Sequence, residues 1–339
     1  MTRGTGRATI TDVAREAGVD RAVVSKVLSD DPTLRVRDET RARVRAAAAA
    51  LDYRPNFHAR GLARARAGAL GLLVPAGDPL MVPVIAGAEE AADERGLLLW
   101  TAHHDGELTE RYLRLLQSGA VDAALVAGLR AGYHADALLR DPRVPTLLVD
   151  RRTVGSDRWI ILDDERAARF ATEHLIAMGH TRIGWAGGRA GVDTAQRRAN
   201  GIRDAMAAAD LWLDPGWVVA ADYTPQGGAR AVAEMFRSPE RPTAIVAADP
   251  NEALGVWHEL ERHGLRVPAD VSLIAIGVLP GEDFRVAPLT GVEMPLRELG
   301  RRSVELVLDT PWNVPLRETL SEGYRITDGA TVAPPGGSG

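Results

Sequence analysis

Arg21, Ala22, Ser25 and Lys26 are left facing outward if Arg21 to Leu28 is a helix whose Val24, Val27 and Leu28 turn inward. When such a helix follows a short one across a sharp turn, its first residues are placed to reach base edges in a DNA major groove. Thr9 to Leu28 is equally compatible with a small helical hairpin bearing a solvated polar face. Other chemistry is sparse. Lys26 is the only lysine in the 339 residues, so beyond it neither a P-loop nor a Schiff-base site can exist. With no cysteine there is no thiolate nucleophile, disulfide or Cys-bound metal, and a reducing cytoplasm is the expected home. There is no G-x-S-x-G elbow and no H-E-x-x-H. The one histidine pair, His103-His104, would point to opposite faces of a strand. Catalytic residues, metal ligands and cofactors are therefore not expected.

The elements that must hold the outward face are legible locally. Thr9 can cap a first helix whose third residue is Asp12, a carboxylate variant of the capping box. Val13, Ala14 and Ala17 give that helix one apolar face, which stops at Gly18, and Asp20 caps the second. A third periodic helix, Thr40 to Leu51, closes a small core. Residues 1–66 carry 14 Lys and Arg against 8 Asp and Glu, whereas the remainder carries 27 against 38, so a net charge of -5 hides a basic head and an acidic body. Such a head gains from counterion release on phosphates while the body is repelled. Arg35 to Arg45 holds five arginines, a face for phosphates or simply solvated charge.

Asn56 to Arg66 reads as a connector. Asn56 can cap a short helix there, but Gly61 and the short length make it marginal alone. From Ala69 onward, short apolar runs alternate with amphipathic helices. Strands are expected at Ala69 to Val74, Leu97 to Thr101, Ala123 to Val126 and Thr146 to Val149. A second set is expected from Trp159 to Leu162 onward, through Arg182 to Ala186, Val218 to Ala220, Ala244 to Ala247 and Ser272 to Ile276. This alternation predicts two doubly wound parallel-sheet halves with a cleft between them, ligands sitting at the carboxyl ends of strands. The tail Ala333 to Gly339 is expected to be disordered. No apolar run is long enough to span a membrane, and no signal segment is evident.

The chain resembles the lactose-repressor (LacI/GalR) family of transcription regulators. The resemblance is carried by Ala8 to Ala14, Ala17-Gly18-Val19, Val24 to Leu28, Tyr53-Arg54-Pro55-Asn56 and Ala59-Arg60-Gly61-Leu62, and it continues to about Gly323. It implies an all-α three-helix helix-turn-helix domain over 1–54 and a hinge helix over 55–68. A periplasmic-binding-protein-like α/β effector-binding and dimerisation body follows over 69–332. Its first subdomain takes in about 69–158 and 292–322, its second about 159–291 and 323–332. By resemblance, Arg21, Ala22 and Lys26 read bases, Arg and Lys suiting guanine O6/N7 and Ala22 a thymine methyl. Thr9, Ser25, Tyr53, Asn56, Ala59 and Arg60 complete the expected DNA contacts, with Leu62 wedged into a central base step. Val23 and Arg37 depart from the pattern, replacing a hydroxyl residue and a capping Ser.

For the cleft, the resemblance implies effector contacts at Asp150 and Arg198, groups whose paired acceptors and donors suit polyols. Leu80, Met81, Asp249 and Gly277 occupy further effector positions, but Leu80-Met81 replaces an aromatic pair, Pro250 follows Asp249 where an Asp after Asn is usual, and Gly277-Val278 replaces an acidic pair. Trp185, like Trp100 and Trp159, could offer a ring to a ligand or pack in the core. Asp163-Asp164-Glu165 reads as the charged first turn of a helix, and Gly187 to Gly191 as a cleft loop. The expectation is a homodimeric repressor on a pseudo-palindromic double-stranded operator, controlled by a sugar or related metabolite and needing no membrane. A regulator of a non-sugar ligand, or of none, is the alternative; a solute receptor or enzyme fits less well.

Overall fold

The computed structural model describes residues 8–29, 33–53, 67–104, 111–128 except 113, 144–278 except 154, and 288–336. The chain forms two compact units, Met1–Gly68 and Ala69–Gly339.

In the first unit, helices α1 (Ile10–Ala17), α2 (Arg21–Leu28) and α3 (Asp38–Ala50) surround Val13, Val24, Val27 and Val44, all fully buried. At the start of α1, the Asp12 amide donates to Thr9 Oγ1 at 3.3 Å and the Thr9 amide donates to Asp12 Oδ2 at 3.0 Å, closing the expected box. Gly18 ends α1 with φ of 63°, a left-handed cap that glycine adopts without a Cβ penalty. The Ala22 amide donates to Asp20 Oδ1 at 2.7 Å and so starts α2. Helix α3 begins at Asp38, two residues before the expected Thr40. Arg37 offers no side-chain cap, and Asp38 and Glu39 favour the positive end of the helix dipole instead. Arg43 Nε donates to the Ala17 carbonyl at 2.8 Å, tying α3 to the end of α1.

Among the described residues, the second unit holds two six-stranded sheets. The first contains β1 (Ala69–Pro75), β2 (Leu98–His104), β3 (Ala123–Ala127), β4 (Thr146–Val149), β5 (Arg158–Leu162) and β11 (Leu316–Leu320), all parallel, in the order β11-β5-β4-β3-β1-β2. The second contains β6 (Ile183–Gly187), β7 (Val218–Ala220), β8 (Ala244–Ala247), β9 (Ser272–Ile276), β10 (Thr290–Glu293) and β12 (Arg325–Ile326), in the order β12-β10-β9-β8-β6-β7, with only β12 antiparallel. Central strands such as β3, β4, β8 and β9 are buried along their whole length, as a sheet covered on both faces requires. The α-helices among the described residues are α4 (Met81–Glu94), α5 (Asp164–Ala177), α6 (Asp193–Ala208), α7 (Pro225–Met235), α8 (Pro250–Arg262) and α9 (Leu296–Asp309). They pack in pairs: α4 on α9, α5 on α6 and α7 on α8. Gly87 of α4 and Gly300 of α9 let the first pair approach closely, since a Cβ on either would run into the facing helix backbone.

Three expectations need correction. Residues 159–162 do not open the second half: β5 lies between β4 and β11 in the first sheet. The buried Arg158 guanidinium anchors it there, donating to the carbonyls of Pro311 at 2.8 Å, Val314 at 2.6 Å and Thr146 at 3.4 Å. The crossing between halves therefore follows Leu162. The return crossing follows β10, whose residues Val292 and Glu293 still belong to the second sheet. Finally, the start of the tail is held in place at Ala333. The Ala333 amide donates to Ser272 Oγ at 3.1 Å, the Ser272 hydroxyl donates to the Ala333 carbonyl at 3.0 Å, and His180 Nε2 lies 2.9 Å from that carbonyl.

Candidate functional site

On the first unit, Arg21, Ala22, Ser25 and Lys26 are exposed along one side of α2, while Val24 and Val27 are buried and Val23 is half-buried. Thr9 is exposed, its hydroxyl donating to Asp12 Oδ2 at 2.6 Å. Tyr53 packs half-buried against the three-helix core. Arg35, Arg37 and Arg45 are exposed, whereas Arg43 is engaged by Ala17 as described. Asn56, Ala59, Arg60 and Leu62 lie outside the described residues, as does the wedge assigned to Leu62.

On the second unit, the strand order reverses between β1 and β3 in one sheet and between β6 and β8 in the other. Crevices at carboxyl ends of strands beside such reversals are where doubly wound sheets hold ligands. A cavity of about 280 Å³ lies there, lined by Pro75 at the end of β1 and Ala76 to Asp78 beyond it, Gly128 after β3, Arg189 and Val192 after β6, and Asp249 and Asn251 at the start of α8. His104, Arg151 and Asp222 to Thr224 complete it. A smaller inner recess is walled by Asp78, Leu80, Met81, Asp150, Arg151, Thr194, Arg198, Tyr223 and Asp249. Five of the residues expected in the cleft thus share one recess: Leu80, Met81, Asp150, Arg198 and Asp249. Gly277 is corrected: it lines neither cavity, and with φ of 103° it sits where an added Cβ would press on Leu80. Trp185 is corrected: it is only 3 % exposed and belongs to the hydrophobic core, because its strand is covered on both faces. Trp100, 43 % exposed on the edge strand β2, and Trp159, beneath the Arg152 guanidinium, also line neither cavity.

The polar groups are tightly engaged. Arg198 Nε donates to Asp164 Oδ1 at 2.7 Å, and its Nη1 donates to the Ala248 carbonyl. Arg197 Nη1 donates to the other oxygen of Asp164 and its Nη2 to the Asp150 carbonyl at 3.1 Å. Burial opposes the charge on Arg198, but the surrounding groups, Asp164 first and then Tyr223 and Asp150, together outweigh it and raise the guanidinium pKa. Arg152 Nη2 reaches Asp193 Oδ1 at 2.9 Å, and the Arg151 guanidinium lies 5.6 Å above the Tyr223 ring. Both contacts join the loop between β4 and β5 of the first sheet to the second half. Burial pushes the Asp150 carboxyl up to about 6 and Asp249 to about 7. Burial, with the nearby charge of Asp249, raises Glu252 to about 9.

Sequence reasoning missed Tyr223 and Asp164. Tyr223 holds φ of 63°, donates its amide to Glu252 Oε1, and its hydroxyl is 3.1 Å from Thr194 Oγ1. It comes close to Gly188, where any Cβ would collide with its ring. Asp164 is fully buried rather than merely charging a helix end, while Asp163 does cap α5. His103 is exposed and His104 is buried, on opposite faces as expected, with His104 Nε2 2.9 Å from the Ala127 carbonyl. Among the described residues no group of His, Cys, Asp and Glu could hold a metal, and no helix is long and apolar enough to cross a membrane.

Comparison with known proteins places both units. Residues 9–56 match the family described as bacterial regulatory proteins, lacI family, and residues 172–332 match the periplasmic binding protein-like domain. The chain is 31% identical over 306 residues to the ribose operon repressor of Escherichia coli (strain K12), covering 89% of this chain and 92% of the relative. It is 31% identical over 338 residues to the HTH-type transcriptional repressor PurR of Proteus mirabilis (strain HI4320), covering 96% and 98%. Among solved structures, the lac repressor dimer bound to operator and the anti-inducer ONPF superposes with a TM-score of 0.82 at 25% identity, covering 97% of this chain and all of that one.

Proposed function

The chain belongs to the LacI family of bacterial transcription regulators, and from that premise we propose that it represses transcription as a homodimer on a pseudo-palindromic operator, under control of a small ligand in the cleft. The observation that carries the reading is the exposed row Arg21, Ala22, Ser25 and Lys26 on α2, held by a capped, turn-separated helix pair. Donors at the start of such a helix read guanine in a major groove, and Ala22 adds an apolar contact. Asn56, Ala59, Arg60 and Leu62 would extend these contacts into the adjacent groove. The lac repressor dimer supports the two-fold assembly. Exposed Leu98 and Trp100 on edge strand β2, with Val82 on α4, offer an apolar edge that a second copy would cover.

Leu80, Met81, Asp150, Arg198, Asp249 and Tyr223 form the effector site, and its two sides come from different halves of the body. A ligand gripping both sides favours one angle between the halves, and it changes operator affinity only as far as it binds the two angles unequally. Selection of bound duplexes from a random pool by the full chain tests the reading: a motif with two related half-sites is expected, and recovery of unenriched DNA would overturn it.

A further inference from the structure

We infer that the ligand of this cleft carries a protonated amino group, which sits between Asp78 on one half and Asp249 on the other. The inference rests on the cleft being the effector site, and it commits that site to an amine-bearing polar molecule of monosaccharide size.

The case begins with two carboxyl groups that form no salt bridge among the described residues. Asp78 follows β1, Asp249 follows β8, and both line the cavity and its inner recess. Asp249 is 5 % exposed; its Oδ1 accepts the Glu252 amide at 2.7 Å, capping α8. Asp78 Oδ1 accepts the Leu80 amide at 3.0 Å. Neither carboxylate makes an ion pair among the described residues. The neighbouring guanidiniums are committed elsewhere: Arg197 and Arg198 to Asp164, Arg152 to Asp193, and Arg151 to the Gly128 carbonyl at 3.1 Å and to Asp150 at 3.5 Å. Arg189 stands exposed at the mouth, beside Asp222. Burial holds both the Asp78 and the Asp249 carboxyl above the ordinary range, and the charge of Asp78 adds to the effect on Asp249, while Arg198 opposes the shift at both, Arg151 opposes it at Asp78, and the Asn251 amide opposes it at Asp249.

An ammonium group brings three donors, no acceptor and one positive charge, and so favours the ionised form of both carboxyls lining the cavity, whereas a neutral diol brings donors without charge. The walls also disfavour binding by ring stacking. Tyr223 is the one aromatic among the described residues lining the cavity apart from His104, and the Arg151 guanidinium already lies over its ring.

The test is titration calorimetry on the full chain with matched probes: D-glucosamine, D-glucose and N-acetyl-D-glucosamine; D-galactosamine and D-galactose; putrescine and 1,4-butanediol. At least one amine is expected to bind about tenfold or more tighter than its uncharged counterpart, the scale of one charge-assisted contact. Asp249→Asn and Asp78→Asn should each erase that preference. The melting temperature without ligand should be held, since Asn also caps a helix and the repulsion is relieved. Equal binding of charged and neutral partners, no binding by any amine at millimolar concentration, or a preference that survives in Asp249→Asn would overturn the inference. Such failure would leave the operator reading standing, because duplex selection by the ligand-free chain does not depend on what charge the ligand carries.

Discussion

Arg198 Nε donates to Asp164 Oδ1 at 2.7 Å, with the two side chains 5 % and 0 % exposed. The arginine expected to hold a ligand is thus itself held, by a residue from the neighbouring helix. A fork fixed at Nε and Nη1 is held in one orientation in the wall of the recess. Asp164→Ala leaves the buried Arg198 guanidinium without its carboxylate and Arg197 with Asp193 alone, and should destabilise the body by about 3–5 kcal/mol, read as a lower urea midpoint. A midpoint unchanged from the parent would mean that the pair does not hold the two helices.

Stability should fall as pH rises. Glu252 is pushed up to about 9 and Asp249 to about 7, so the folded body binds protons that the unfolded chain has released. Their contribution is full at pH below the ordinary carboxylate range and is lost as pH climbs through the folded values. The melting temperature should therefore decrease between about pH 6 and about pH 9, and Glu252→Gln should flatten most of that slope. The prediction fails if parent and variant trace the same curve.

Gly188→Ala should damage the cleft rather than the fold. The added Cβ overlaps the Tyr223 ring, which must swing from its place beside Thr194. Overpacking of this kind costs about 1–3 kcal/mol, and ligand affinity should drop by about tenfold or more. Calorimetry of the variant beside the parent reads this directly.

The helix pair separates positioning from reading. Lys26→Ala or Arg21→Ala should cost about 1–3 kcal/mol and relax preference at one base of each half-site. Thr9→Ala should instead lower the stability of the three-helix unit by about 1 kcal/mol through loss of the cap, with base preference retained. Competition against single-base operator variants distinguishes the two.

What could be read from the sequence was what is encoded within a few residues. The Thr9–Asp12 box, the turn at Gly18 and the Asp20 cap are local, and so is the alternation of apolar runs with amphipathic helices. What escaped depends on distant partners. Asp164 looks like the charged first turn of a helix until α6 brings Arg197 and Arg198 onto it. β5 reads equally well as the last strand of one half or the first of the next; Arg158 and the distant β11 decide between them. Trp185 has the same sequence signal whether it faces ligand or core. Tyr223 carries no local mark, since its place depends on Gly188 and Glu252. The Pro- and Gly-rich composition of the tail suggested disorder, but Ser272 and His180 hold Ala333.

The central claim is that the basic first unit recognises a particular duplex. The most direct measurement is the affinity of the full chain for its selected duplex and for a scrambled one, across a range of salt concentrations. The account predicts a preference of about 10³-fold or more for the selected sequence, with both affinities falling steeply as salt rises, and loss of the preference in Lys26→Ala combined with Arg21→Ala. Equal affinity for the two duplexes at every salt concentration would contradict it.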